Sequence, residues 1–215
     1  MPVAKPTTHD ATRERLLDEA EKLFAEKGYN AVSVREITKA AGSNLAAVNY
    51  HFGSKENLYL AVFRDRWRAR AEKVRRPMEE LARQEKVTPR QVVRTLAQAF
   101  LRGPLTAEER LRHSQLIARE MASPGKAFDL LAEGQLKPAM EQHARLLQRA
   151  LPYTIAEERL KLIVLSIFSQ VLHFNFARPV VSLVTGRSYD AAFIEELIEH
   201  ITDFALRGLG LEETA

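Results

Sequence analysis

The sequence predicts an all-α fold: a three-helix helix-turn-helix head at the N-terminus and a larger helical body behind it, about nine helices in all. Three observations predict this. Apolar residues recur at helical spacing along the chain, and no stretch alternates with period two. Gly and Pro number only 9 each in 215 residues, and most fall between the periodic segments, where helix connections need them. Capping residues stand where several of those segments begin.

The first helix is expected from about Thr12 to Lys27, with Leu16, Ala20, Leu23 and Phe24 on one face and Gly28 as its left-handed stop. Tyr29 packs back as the chain turns. A second, short helix starts at Ser33, because Ser33 and Glu36 form an S-x-x-E capping box in which each side chain satisfies an otherwise orphan N–H. Val34, Ile37 and Ala41 face inward, and Gly42 makes the sharp turn that follows. Asn44 caps a third helix, residues 45–51, with Val48 and Phe52 directed into the core. Gly53 and Ser54 repeat the break and the cap, launching a fourth helix through Leu58, Val62 and Trp67 toward Pro77. Two short helices about a glycine turn, held by a long helix on either side, form a helix-turn-helix.

Beyond Pro77 the helical segments are 89–102, 107–121, 126–150, 155–177 and 190–207, punctuated by Gly103-Pro104, Ser123-Pro124-Gly125, Leu151-Pro152, Pro179 and Gly186. Pro138 kinks or divides the third of them. The last two are the most apolar, and their apolar arc is wider than one packing face. The division expected is residues 1–60 as the head and 61–215 as the body.

Composition narrows the function. With 46% hydrophobic and 28% charged residues the chain is an ordinary folded protein, long enough to bury a proper core. The absence of cysteine excludes a disulfide scaffold, a Cys-ligated zinc finger, an iron–sulfur cluster and a thiol nucleophile. The start, MPVAKPTTHD, has no apolar signal segment. The most hydrophobic run, Leu162 to Ala177, is 16 residues long and carries Ser166, Ser169, Gln170, His173 and Asn175, which falls short of a membrane span. A cytoplasmic protein without a membrane partner is expected. Residues 1–76 hold 15 Lys/Arg against 10 Asp/Glu, a net +5, and residues 77–215 hold 17 against 18, a net −1. The basic excess belongs to the head, as in a polyanion-binding module joined to a body with another task.

The run from Thr12 to Phe63, with LFAEKGY, the capping box, AAG and YHFGSKENL in order, resembles the DNA-binding domain of TetR-type transcriptional regulators. NLAAVNYHFGSKE and the later REMASPGKAFDLL resemble the smaller CecR-like subgroup. The sequence departs from the common pattern at Ser43, usually apolar, and at Asn49, often aromatic. The resemblance implies an all-helical homodimer whose heads grip double-stranded operator DNA and whose body binds a small effector that releases it.

In a helix-turn-helix the second helix presents its exposed side chains to base edges in the major groove. Here those are Leu45, Ala46, Ala47, Asn49 and Tyr50, beside the cap Asn44. Asn49 suits the bidentate pair with adenine N6 and N7, and the apolar residues suit thymine methyls. Ser33 and Arg35 are candidates for the phosphate contacts that position without reading. By resemblance Tyr50, His51 and Lys55 match contact positions of the family. His51 and Tyr50 also read as packing residues. The cluster Arg64, Arg66, Arg68, Arg70, Lys73, Arg75 and Arg76 reads as a solvated helix face more readily than as a DNA stripe. Lys5, Arg13 and Arg15 are open to a minor-groove or phosphate role.

In the body, Met121, Phe128, Phe168, His173, Phe174 and Phe176 are candidates to line an effector pocket, with Arg119, Glu120, His143, Asn175 and Arg178 as polar anchors. Ile163, Ile167, Val171, Phe193, Leu197, Ile201 and Phe204 are candidates for the seam of a homodimer. An enzyme is not expected. The residues three before the six histidines are Pro6, Val48, Arg110, Met140, Gln170 and Leu197, so the Glu-x-x-His of a di-iron bundle is missing. No H-E-x-x-H, G-x-S-x-G, G-x-x-x-x-G-K or G-x-G-x-x-G occurs. Neither a cofactor, a metal nor a catalytic residue is expected, beyond an unidentified effector. The competing reading is a helical ligand carrier or scaffold with a vestigial head.

Overall fold

The structure, a computed structural model, describes residues 8–103 and 105–211. The described residues form twelve α-helices in the order α1 (Thr8–Lys27), α2 (Val34–Ala40), α3 (Leu45–Phe52), α4 (Lys55–Ala61), α5 (Arg68–Ala82), α6 (Pro89–Leu101), α7 (Ala107–Ala122), α8 (Phe128–Leu131), α9 (Lys137–Ala150), α10 (Glu157–Phe176), α11 (Arg178–Thr185) and α12 (Ala191–Gly208). π-helical turns, Val62–Trp67 and Ala132–Leu136, lead into α5 and α9. No single helix among them is long and apolar enough to cross a membrane.

The local signals act as expected. Ser33 and Glu36 close a reciprocal capping box on α2, Asn44 caps α3 through the Ala47 N–H, and Ser54 caps α4 through the Asn57 N–H. Gly28, Gly42 and Gly53 end α1, α2 and α3 at φ +83°, +60° and +77°, backbone conformations that cost an L-residue with a Cβ. Two boundaries differ from expectation. Pro77 does not end a helix but sits inside α5, which continues because Met78 and Leu81 beyond it are buried in a core. The segment after Phe176 is not a loop: Arg178-Pro179 opens α11, with proline at the first turn where its missing N–H is not needed.

The helices form two compact units. The first holds residues 8–69 with 105–134, the second 70–103 with 135–211. The head expected to end at residue 60 therefore recruits a later part of the chain. Leu116 of α7, Ala127 and Leu131 of α8 join Leu16, Leu17, Phe24, Ile37, Val48 and Leu58 in one buried cluster. Phe24, Tyr29, Tyr59 and Phe63 stack within it, with neighbouring rings 4.9–5.9 Å apart. In the second unit α6 lies against α12 and α10, and α9 packs on α10 and α6. Its core runs from Met78 through Val92, Leu147, Val164 and Val171 to Ile198 and Ile201. Along α6 and α12, Arg90 meets Glu199 and Asp203 at 3.1 and 2.8 Å, and Arg94 meets Glu195 and Glu199.

Candidate functional site

The outer face of α3 is the surface that the sequence assigns to base reading. Val48 and Phe52 pin the inner face in the core, at 0% and 9% exposure. What remains outside is Leu45, Ala46, Asn49 and Tyr50, all exposed, Tyr50 at 73%. These positions, one helical turn apart in pairs, make a strip that presents an amide between apolar surfaces. Ala47 is half-buried and packs its methyl on the core, so it adds less to that strip than expected. His51 is half-buried, with its ring edge-on to Tyr50 at 5.1 Å and tilted on Phe52 at 6.1 Å, the packing role weighed for it.

Several polar candidates around the strip are engaged in structure. The Ser33 hydroxyl donates to Glu36 Oε2 at 2.9 Å and accepts from the Glu36 N–H at 3.2 Å. Its donors to Glu36, together with Lys27, hold that carboxyl below the usual range. Asn44 Oδ1 accepts the Ala47 N–H at 3.0 Å. Arg35 is exposed on α2. Lys55 does not extend from the start of α4: its Nζ donates to the Tyr29 carbonyl at 2.6 Å and lies 4.3 Å from the Tyr29 ring. Burial there pushes the ammonium pKa down. Arg15 Nε donates to the Ala41 carbonyl at the end of α2, and Arg13 pairs with Asp65 while stacking on Phe52.

In the arginine-rich stretch, Arg66 pairs with Glu14 and Asp18 at 2.9 and 2.6 Å. Arg75 pairs with Glu72 and Glu79, and Arg76 with Glu80. This is the pattern of an ion-paired, solvated face. The side chains of Arg68, Arg70 and Lys73, and residue Lys5, lie outside the described residues.

The residues assigned to an effector pocket are divided between the two units. Arg119, Met121 and Phe128 belong to the first unit. Arg119 caps α1, with Nη2 donating to the Glu26 carbonyl at 2.8 Å and Nε to that of Ala25 at 3.3 Å. Met121 is exposed and Phe128 half-buried. Beside Arg119, the buried Glu120 accepts the Tyr59 hydroxyl at 2.6 Å and the Gly125 N–H at 3.0 Å, a contact that no local pattern announces. In the second unit His173 is exposed and Phe174 half-buried. Arg178 donates to the Leu101 carbonyl at 3.0 Å and lies 4.5 Å from the Tyr189 ring, capping α6.

His143 is the anchor candidate that does face a cavity. The cavity, about 10 Å³, is lined by Val92, Val93, Leu96, His143, Leu147, Val164 and Ile167. The ring is 6% exposed and stands edge-on to Phe168 at 5.0 Å. Its Nδ1 lies 2.6 Å from the Ala139 carbonyl, while Nε2 is buried with no partner among the described residues. Burial lowers the pKa of the ring, the Ala139 contact opposing in part.

The seam residues need the larger correction. Ile167, Val171, Phe193, Leu197 and Ile201 are at most 7% exposed in the chain's own core, and Ile163 is half-buried against it. A side chain already enclosed by its own chain has no surface left for a partner. Of the seven only Phe204 is exposed, at 59%. On the last three helices the large apolar side chains left outside are Leu162 and Leu165 on α10, Val180, Leu183 and Val184 on α11, and Phe204 on α12. Their common exposure follows from which arc of each helix the core takes, which periodicity alone does not decide. Among the described residues, no cluster of three or more His, Asp or Glu is placed to hold a metal ion.

Comparison with known proteins gives two family matches. Residues 16–62 match the model of bacterial regulatory proteins of the tetR family. Residues 89–209 match the C-terminal domain of the HTH-type transcriptional dual regulator CecR. The chain is 28% identical over 211 residues to that dual regulator from Shigella flexneri, covering 93% of each. It is 43% identical over 61 residues to the HTH-type transcriptional repressor AcnR of Corynebacterium glutamicum, covering 28% of this chain and 31% of the relative. Among solved structures, the fatty acid degradation regulator FadR from Bacillus halodurans superposes with a TM-score of 0.65 at 17% identity, over 97% of this chain and 100% of that one. The hemolysin II transcriptional regulator HlyIIR gives 0.62 at 22%, over 91% and 99%.

Proposed function

The chain belongs to the TetR family of bacterial regulatory proteins and carries the CecR-type C-terminal domain; from that premise we propose that it is a homodimeric repressor released from a near-palindromic operator by a small molecule bound in its second unit. It is a DNA-binding transcriptional regulator and not an enzyme, as its family is.

The observation that carries the reading is the strip on α3. Leu45, Ala46, Asn49 and Tyr50 face outward from a helix whose inner face is locked by Val48 and Phe52. A helix with an exposed amide flanked by apolar groups is suited to an adenine-and-thymine step in the major groove. The basic excess of residues 1–76 supports contact with phosphates. The apolar residues left outside on α10, α11 and α12 support a two-fold seam, and a two-fold reader of this class takes half-sites about 34 to 36 Å apart, or a multiple of that.

The test is fluorescence anisotropy of the full chain on duplex DNA from its own upstream region against an unrelated duplex, across a salt series. Sequence-selective binding with a steep fall of log affinity against log salt is expected. Equal, weak binding to both duplexes, repeated with fragments selected from the whole genome, would refute the proposal and favour the scaffold.

A further inference from the structure

The second unit holds a buried acceptor that no described residue satisfies. His143 Nδ1 sits 2.6 Å from the Ala139 carbonyl. A carbonyl only accepts, so Nδ1 carries the hydrogen and, in the neutral ring, Nε2 is left as a bare lone pair. No described group donates to it, and the edge-on Phe168 ring at 5.0 Å holds the imidazole in place. A buried acceptor without a donor carries the full cost of its lost hydration.

The surroundings restrict what can fill it. Every other residue lining the adjoining cavity is Val, Leu or Ile. Water suits the place poorly, since buried waters typically make about three hydrogen bonds and here only one partner is offered. An ion suits it worse, because the lining holds no compensating charge and desolvation of an isolated carboxylate or ammonium is prohibitive. We propose that the space among α6, α9 and α10 seats an uncharged, largely apolar small molecule whose one hydroxyl donates to His143 Nε2.

This rests on the effector reading and gives that effector its chemistry. The cavity, at about 10 Å³, has room for roughly one water molecule, so the occupant must part the apolar walls as it enters. The ligand thus interacts differently with the closed and the widened arrangement of α6, α9 and α10, as any effector must to shift an equilibrium. A hydroxyl also discriminates: a site built around a buried acceptor rejects analogues that leave it unpaired.

The experiment uses the full chain and three probes of similar bulk: phenol, anisole and benzene. Phenol alone brings an O–H. Affinities are measured by titration, with ¹⁵N-histidine spectra recorded alongside. Phenol is expected to bind at least tenfold more tightly than anisole or benzene, a difference equivalent to about 1.4 kcal/mol. On saturation the His143 Nε2 resonance should move upfield, as an unprotonated ring nitrogen does on accepting a hydrogen bond. The His143→Leu variant should erase the preference for phenol. Equal affinities, a stationary Nε2 resonance at saturation, or no phenol binding up to its solubility would each overturn the proposal. The ¹⁵N arm decides by itself if His143→Leu fails to fold. Operator affinity measured by anisotropy with and without phenol separates the two claims: phenol that moves Nε2 while operator affinity stays unchanged supports this site and refutes its role in release.

Discussion

Removing one oxygen atom from the first unit should weaken it in a pH-dependent way. The Tyr59 hydroxyl donates to Glu120 Oε1 at 2.6 Å, with the two residues 2% and 4% exposed. Tyr59→Phe keeps the ring and its aromatic neighbours but takes the hydroxyl from the carboxylate, leaving it the Gly125 N–H. Hydrogen bonds to charged groups contribute about 1.5 to 3 kcal/mol, which lowers a thermal midpoint by roughly 3 to 12 °C in a chain of this length. Burial first, and then the bond to Glu120, push the Tyr59 pKa well above its ordinary value of 10.0. The folded state thus keeps a proton that the unfolded chain gives up near pH 10, so this contribution is complete below pH 10 and is lost as the pH rises above it. The stability gap between wild type and Tyr59→Phe, measured by denaturant unfolding, should be full at pH 8 and shrink above pH 10 by about 1.4 kcal/mol per pH unit. A variant as stable as wild type at pH 8, or a gap that does not change up to pH 11, would refute the reasoning.

Asn49→Ala should flatten discrimination by about 1 to 3 kcal/mol at one adenine of the operator; unchanged relative affinities across all single-base variants would show that Asn49 does not read a base. Gly28→Ala should cost about 1 to 2 kcal/mol from its positive φ alone. It should cost more because the new Cβ would lie 3.2 Å from Arg119 Nη1. The cost should fall in an Arg119→Ala background, and strict additivity in the double-mutant cycle would make that contact inert. Phe204→Asp should yield monomers in sedimentation equilibrium with the monomer fold intact by circular dichroism. Ile201→Ala, at 0% exposure, should instead lose about 2 to 5 kcal/mol of stability. A Phe204→Asp variant that remains as dimeric as wild type would remove Phe204 from the seam.

What was legible in the sequence was what is local. The caps of α2, α3 and α4 lie within three residues of the groups they satisfy, so Ser33, Asn44 and Ser54 announce themselves, and the strip on α3 follows from its inner residues. Long-range packing was not legible. Pro77 reads as a stop until Met78 and Leu81 are seen to be buried beyond it. Arg119 and Arg178 read as polar anchors for a ligand, yet each reaches a carbonyl at the end of another helix. The wide arc of α10 and α12 reports how much apolar surface there is, not which side the chain itself will cover. His143 was one polar candidate among several, and its isolation emerges only when α6 and α10 enclose it.

The first unit's core closes only with Leu116, Ala127 and Leu131, supplied more than forty positions after Phe63. For recombination between relatives this moves the natural cut points. A graft of residues 1–60 onto another regulator's body would carry an operator preference but leave its foundation behind, including the Arg119 cap and the Glu120 acceptor. For this chain the exchangeable unit is discontinuous, residues 1–69 together with 105–134, and a single crossover anywhere before residue 134 would divide it.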